Sequence, residues 1–244
     1  MLAAGFSPDG RRAVTSSDDG TTRLWDATTG DPVVETLLHV ERVSWAAFAP
    51  DGKTVLTASA DGTVQIRNAD TGAALGAALN HAAAVASAEF SPDGRRILTT
   101  ACDGRARIWI VSDRRISVEL RKATNIVIAR FCPDGRRVAT ADANSAVRLW
   151  RAEKGVELGS AMSHSAAITA VEFSRDGQWL ATGSKDGTLR LWSGTTGMFL
   201  AGPFAEHRDS VVWLHFSPAR GRLVTASLDG TAIVWKITPR SPDP

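Results

Sequence analysis

The chain has 244 residues, 43% of them hydrophobic and 22% charged, with 28 Lys and Arg against 26 Asp and Glu for a formal net charge of +2. This is the composition of a soluble globular protein, and acidic residues interleaved with the basic ones make the charge weak evidence for a nucleic-acid partner. No run of about 18 apolar residues is present, the opening MLAAGFSPDG has neither a basic n-region nor an apolar h-region, and Cys102 and Cys132 stand at no metal or redox spacing, so a reducing, cytoplasmic setting without membrane contact is expected.

The stretch FSPDGRR at residues 6–12 returns at residues 90–96. Near copies begin at Phe48 (FAPDGK), Phe131 (FCPDGRR) and Phe173 (FSRDGQ), and a worn one, FSPARGR, at Phe216. From Phe6 onward the steps between anchoring Phe residues are 42, 42, 41, 42 and 43 residues, a period that marks a stacked repeat architecture. Pro sets φ at the first central position of a turn and Gly accepts positive φ, so Pro-Asp-Gly between apolar runs predicts a hairpin. A second Asp-Gly follows in five units, at Asp19-Gly20, Asp61-Gly62, Asp103-Gly104, Asp186-Gly187 and Asp229-Gly230. Each unit closes on an apolar-Trp pair: Leu24-Trp25, Ile108-Trp109, Leu149-Trp150, Leu191-Trp192 and Val234-Trp235, with Ile66-Arg67 the exception. Alternating runs between these turns predict three firm strands per unit, as at 170–173, 179–183 and 189–192, and a weaker fourth, as at 198–204. Four strands cannot cover either face of their own sheet, so successive sheets must stack, and radial stacking gives a β-propeller.

These units resemble WD40 repeats over the whole chain up to about residue 237, which leaves 238–244 as a Pro-rich tail. The resemblance implies an all-β propeller of six WD40-type blades. It also implies a buried hydrogen-bonded set of His, Ser or Thr, Asp and Trp in each blade. His39, His81, His164 and His207 each lie nine residues before an anchoring Phe, and the five Asp of the second turns lie thirteen after one. On this pattern His164, Ser184, Asp186 and Trp192 form one complete set, and His207, Ser227, Asp229 and Trp235 another. Unit two has His39, Ser59 and Asp61 but Arg67 for Trp, and unit three has Ala101 for Ser. Unit four departs most, with Lys122, Asp142 and Asn144 beside Trp150, and its blade is expected to be the least rigid. Satisfied charge-assisted bonds of this kind contribute about 1.5–3 kcal/mol each.

After Trp235 the residues KITPRSPDP, with Pro239, Pro242 and Pro244, rule out a paired central strand, so the last blade is expected to lack its outer strand. Met1 stands only five residues before Phe6. The expectation is a piece of a longer ring with the missing strand and a further blade upstream. The rival is a six-bladed ring closed by non-covalent contact between its first and last blades. The chain is expected to be monomeric unless the open edge at 232–236 pairs.

No Walker loop, dinucleotide fingerprint, HExxH or GxSxG motif occurs, so no cofactor is expected. Histidines about 42 residues apart around a ring do not converge on one metal. Asp18-Asp19-Gly20 lacks the spaced ligands and closing Glu of a calcium loop, so no metal is expected. His215 alone is off the repeat pattern, one residue before its anchor, where other units place Ala47, Glu89, Arg130 and Glu172. If that position faces a central channel, Glu89, Glu172 and His215 could act as an acid/base set; the competing reading is solvated residues with Arg130 pairing a carboxylate. Arg11-Arg12, Arg95-Arg96 and Arg136-Arg137 gather on one rim and could read phosphates, although each pair follows an Asp in its own turn. The resemblance implies protein or peptide partners, held by loops before the inner strand and at the second hairpin. Those positions are Glu41, Arg42, Trp45, Asn125, Lys185, Arg208, Asp209, Trp213 and Leu228, where Trp45 and Trp213 are either fillers between blades or surface anchors. The function expected is a non-catalytic interaction scaffold, a module of a larger signalling or regulatory protein. The alternatives are the channel-centred enzyme and the phosphate or nucleic-acid reader.

Overall fold

The computed structural model describes residues 2–34, 36–120, 125–218 and 221–237, and every regular element among them is a β-strand. The six repeats become six antiparallel sheets with strands in sequence order. The first holds β1 (Ala3–Phe6), β2 (Arg12–Ser16), β3 (Thr21–Asp26) and β4 (Leu37–Leu38). The second holds β5 (Val43–Phe48), β6 (Thr54–Ser59), β7 (Thr63–Asn68) and β8 (Leu79–Asn80), and the third β9 (Val85–Phe90), β10 (Arg96–Ala101), β11 (Arg105–Ile110) and β12 (Ile116–Leu120). In the fourth are β13 (Ile126–Phe131), β14 (Arg137–Asp142), β15 (Ala146–Arg151) and β16 (Val156–Ser163). The fifth is β17 (Ile168–Phe173), β18 (Trp179–Ser184), β19 (Leu189–Ser193) and β20 (Phe199–Phe204). The sixth has three strands among the described residues, β21 (Val211–Phe216), β22 (Arg222–Ser227) and β23 (Ala232–Lys236). Residues 1–121 and 122–244 form two compact units of three sheets each. The Pro-rich tail lies outside the described residues.

The repeated turn owes its spelling to its hydrogen bonds. Ser7 Oγ donates to Asp9 Oδ1 at 2.6 Å and accepts from the Arg12 amide at 2.9 Å, while Asp9 Oδ1 also accepts from the Arg11 amide at 3.1 Å. Ser91 with Asp93 and Ser174 with Asp176 repeat the arrangement. The side chains thus satisfy backbone donors that the tight turn leaves without a strand partner. Gly177 shows why the turn ends in glycine: its φ is +66°, and a Cβ there would fall 2.5 Å from Cys132 Sγ of the preceding sheet.

Within each unit the sheets pack face to face through their first strands, β1 on β5 and β5 on β9 in one, β13 on β17 and β17 on β21 in the other. Val14, Leu24, Ala46 and Val55 fill the space between sheets one and two, and Leu56, Val64, Ile66 and Ile97 that between sheets two and three. In the second unit Ala139, Leu149, Val171 and Leu180 join sheets four and five, and Ala181, Leu191, Leu214 and Leu223 join five and six. Strands β6, β10, β14 and β18 are buried at every residue after their first. Such strands need apolar or small residues on both faces, which is why they read LTAS, LTTA, ATAD and ATGS rather than alternating with charge.

The fit between sheets five and six is tight enough to require a glycine within a strand. A Cβ on Gly183 would fall 2.7 Å from Val211 Cγ1 and 3.5 Å from Leu214 Cδ2. Its φ is ordinary, so without that contact alanine would stabilise the chain by about 0.4–1 kcal/mol through the unfolded state. We expect Gly183→Ala instead to destabilise by about 1–3 kcal/mol, read from the urea midpoint. A midpoint equal to or above that of the parent would show that the two sheets are not in contact there.

Candidate interaction face and the hydrogen-bonded sets beneath it

In the fifth sheet the Trp192 indole N–H on β19 donates to Thr182 Oγ1 on β18 at 2.9 Å, and His164 Nε2 lies 2.7 Å from the same oxygen. With that oxygen accepting from the indole, its own proton goes to Nε2, which places the imidazole proton on Nδ1. There it meets Thr188 Oγ1 at 3.1 Å, with Asp186 Oδ2 3.6 Å away, and Thr188 in turn donates to Asp186 Oδ1 at 2.6 Å. Asp186 Oδ2 also accepts from the Ser165 amide at 3.1 Å, in the loop that leads into β17. The sixth sheet repeats this with Trp235, Thr225, His207, Thr231 and Asp229, the last holding the Arg208 amide at 2.8 Å. In the second sheet His39 Nε2 lies 2.7 Å from Thr57 and its Nδ1 3.0 Å from Asp61, which accepts from the Val40 amide at 3.3 Å.

The hydroxyl that joins His to Trp is therefore a threonine in mid-strand, and this corrects the placement of Ser59, Ser184 and Ser227 in the sets. Each of these serines stands two residues further on, at the end of its strand, out of reach of an indole that leans back along the neighbouring strand. There its Oγ donates to a loop carbonyl, of Glu41, Ala166 and Asp209 at 3.0, 3.0 and 2.9 Å, and accepts from the amide of the turn Asp. The signal was present in the chain: Thr15, Thr99, Thr140, Thr182 and Thr225 each precede a closing Trp by ten residues, and all five accept its indole proton.

Sheets two, three and four each replace a member of the set. In the second, Arg67 replaces Trp and bonds to Gln65 and the Gly72 carbonyl. In the third, Arg107 takes Asp103 in two bonds, at 2.5 and 3.3 Å, with Glu119 3.6 Å from the same guanidinium. His81 keeps Thr99 at 2.8 Å, and its buried Nδ1 has no hydrogen-bond partner among the described residues. In the fourth, Asp142 caps the amides of Asn144 and Ala146, and Trp150 keeps Thr140. Lys122 lies outside the described residues.

Burial drives the electrostatics of these sets. It pushes His164 down to about 4 against the pull of Asp186, and His81 likewise to about 4 with Arg107 adding to the effect. For Asp186 burial acts upward, but donation from Thr188 and Ser165 outweighs it and holds the carboxyl well below the usual range. His81 and His164 are thus neutral links at neutral pH.

Above the sets, at the same end of each unit, lie the loops they pin. In the second unit Lys185, Arg208, Asp209 and Leu228 are exposed. The Leu228 amide bonds to the Ser210 carbonyl, and a Cβ on Gly187 would fall 3.3 Å from the Asp209 carbonyl, so the turn of sheet five adjoins the loop and turn of sheet six. Asn125 is exposed with φ +65° at the entry to β13. In the first unit exposed Glu41 and Arg42 adjoin the Gly20 turn. The two tryptophans part company. Trp45 is packed against the cluster of Leu56, Val64 and Ile97, which removes it as a surface anchor because its ring is used between sheets. Trp213 is exposed and stacks on His215 at 5.6 Å.

Of the off-pattern residues, Glu172 and His215 come together across sheets five and six, with Oε1 to Nδ1 at 2.9 Å, and the same oxygen accepts from the Phe216 amide at 3.3 Å. Burial pushes the Glu172 carboxyl up, opposed by His215, that amide and Arg130. Glu89 stands on β9 in the first unit. On the arginine rim, the second member of two of the pairs clasps the next sheet. Arg12 bonds to Asp70 and the Gly52 carbonyl, and Arg137 to the Gly194 carbonyl as well as Asp134. Arg11, Arg95 and Arg136 are exposed. Among the described residues no group of three His, Cys, Asp or Glu could hold a metal ion.

Removing the central hydroxyl strands both of its partners. We expect Thr182→Val to cost about 2–4 kcal/mol, from two buried groups left unsatisfied at about 1–3 kcal/mol each, and Thr182→Ser to recover most of it. Ser184→Ala should cost less, since its loop partners are near solvent. Denaturant midpoints of the three variants decide the order, and a larger loss for Ser184→Ala would return the serine to the centre. For His81 the folded state binds fewer protons than the unfolded one between pH about 6.5 and about 4. Stability contributed by the neutral ring is complete above pH 6.5 and lost as pH falls through that window. His81→Gln should flatten the acid limb of melting temperature against pH, and an unchanged slope would show that the ring is not buried neutral.

The WD40 family model (WD domain, G-beta repeat) matches residues 2–26, 32–68, 76–109, 123–151, 155–193 and 200–236, one segment for each sheet. No curated protein matches the chain. Among solved structures, the crystal structure of the computationally designed Ika8 protein is similar at a TM-score of 0.86 and 27% identity, covering 97% of this chain and 70% of that one. The sheets are all-β, WD40-type β-propeller blades, six in number, and the chain belongs to the WD40 repeat family.

Proposed function

We propose that this chain is a non-catalytic interaction scaffold that docks a protein or peptide on the loop end of its blades. Membership of the WD40 family supports a scaffold kind of function. The observation that carries the location is the strapping of three of the loops by the sets beneath them. Asp61, Asp186 and Asp229 hold the amides of Val40, Ser165 and Arg208, so exposed side chains are presented on fixed backbone. A partner that meets pre-ordered loops does not spend binding energy on ordering them. In the second unit Leu228 offers apolar surface flanked by Arg208, Asp209 and Lys185, the mixture of an apolar anchor with charged neighbours that forms binding hot spots.

The other readings have less behind them. Glu172 is engaged by a ring and an amide from the adjacent strand, which suits a tie between blades better than a base awaiting substrate. The arginine rim spends half of its guanidinium groups on its own turns and neighbours, which weakens the case for a phosphate reader.

Peptides selected from a random display library against the folded chain test the location. Leu228→Asp with Arg208→Glu should lower their affinity at least tenfold, about 1.4 kcal/mol, while Arg95→Glu with Arg136→Glu leaves it unchanged. Full affinity in the loop variant would sink the assignment. Losses confined to the arginine pairs and steep in salt would transfer it to the opposite rim.

A further inference from the structure

The first turn of a unit and the strand after it close the seam to the next blade, and blade five breaks the repeat at both places. Two residues after the anchoring Phe, five blades carry proline (Pro8, Pro50, Pro92, Pro133 and Pro218), and blade five carries Arg175. Six residues after it, Arg12, Arg96, Arg137 and Arg222 begin the second strand, with Thr54 in blade two and Trp179 in blade five. Where the common residues stand, they fill the seam. A Cβ on Gly52 would fall 3.5 Å from Pro8 Cδ, and one on Gly94 3.8 Å from Pro50 Cδ. Arg12 and Arg137 reach the carbonyls of Gly52 and Gly194 in the next blade.

Between blades five and six the seam holds a cavity of about 440 Å³, and both substituted residues line it. That volume lies within the about 300–1,000 Å³ of ligand sites. Its apolar wall is Trp179, Phe216 and Pro218, with the two ring centroids 6.3 Å apart, and it opens to solvent on one side. Its free polar groups are donors. Arg175 is exposed, and its guanidinium makes no hydrogen bond or ion pair among the described residues. The Trp179 indole N–H likewise meets no acceptor there, whereas those of Trp192 and Trp235 bond inward to threonine. Asp176, the acid of the lining, already accepts from the Ser174 hydroxyl at 2.7 Å and the Gln178 amide at 3.1 Å. Donors without acceptors beside an apolar wall fit a ligand that carries an anion next to an apolar group.

We propose that this cavity seats one apolar side chain of an acidic partner peptide, whose neighbouring carboxylate is taken by Arg175 and the Trp179 N–H. The open side lets the peptide chain run on along the first-turn rim in both directions. This site is separate from the loop end assigned above. Trp179 begins β18, whereas Leu228 follows the last residue of β22, the equivalent strand of the next blade, so the two lie at opposite ends of their blades.

Isothermal titration calorimetry of the folded chain with the acetylated and amidated peptide Gly-Asp-Phe-Asp-Gly tests this. The parent should bind it, and Arg175→Glu should weaken binding about tenfold or more. Arg175→Pro, which restores the common turn residue, should also weaken it. Trp179→Arg restores the clasping residue and adds a positive charge; it should weaken binding too, where plain charge attraction would tighten it. Replacing the peptide's phenylalanine by alanine, or its aspartates by asparagine, should each lower affinity. Leu228→Asp with Arg208→Glu, at the loop end, should leave it unchanged. The proposal is overturned by a parent that does not bind at millimolar peptide, or by either Arg175 variant binding as well as the parent. Tighter binding by Trp179→Arg, or a loss in the loop-end variant equal to that of Arg175→Glu, would overturn it as well. Should Trp179→Arg melt early, the two variants of the exposed Arg175 decide the matter.

Discussion

In blades two to six a single buried threonine hydroxyl in the second strand is the group on which the rest of the unit depends. Thr57, Thr99, Thr140, Thr182 and Thr225 are almost wholly inaccessible to water, and a buried hydroxyl without partners is costly. In Thr99, Thr182 and Thr225 its one donor and its acceptor capacity are spent on an imidazole and an indole, which ties the loop before the first strand to the third strand. The turn aspartate then adds the loop backbone. One covalently distant set of side chains thereby fixes three strands and two connections, and directional bonds specify an alignment that non-directional apolar contact leaves loose.

The departures obey the same requirement. Arg67 cannot serve as an indole, and it satisfies itself on Gln65 and a carbonyl while Thr57 keeps His39. Arg107 draws Asp103 away from His81, and the ring remains neutral in a dry site beside a cation. In the fourth blade Asp142 caps its own turn. The tryptophan-threonine bond survives in every blade that has the tryptophan, so it is the part of the set that packing holds most firmly.

Stacking imposes a second constraint. A blade buries both faces only between neighbours, so second strands in the middle of the array carry small and apolar residues throughout. The arginine clasp from Arg12 to the Gly52 carbonyl and that from Arg137 to the Gly194 carbonyl reinforce the same junctions at one rim, while Glu172 and His215 join the first strands of blades five and six. Residues that read as a charged stripe or an acid/base pair in one dimension are largely the seams of the array.

Much of this was legible in the chain. The period of about 42 residues, the Pro-Asp-Gly and Asp-Gly turns and the alternation between them specify strands, hairpins and blade number, because those features follow from local backbone geometry that each segment carries with it. The His and Asp of each set were legible too, by fixed spacing from Phe. Which hydroxyl joins them was written only in the ten-residue spacing from Thr to Trp, since Thr182 and Ser184 point to the same face of β18, and the lean of Trp192 on the adjacent strand is what selects between them. The fates of Trp45 and Trp213 were equally hidden. They hold equivalent positions, yet Trp45 packs on the cluster between sheets two and three while Trp213 is exposed and stacks on His215. Local sequence determines what each blade is; the neighbour it packs on decides which of its side chains become core, seam or surface, because burial belongs to pairs of sheets rather than to any one of them.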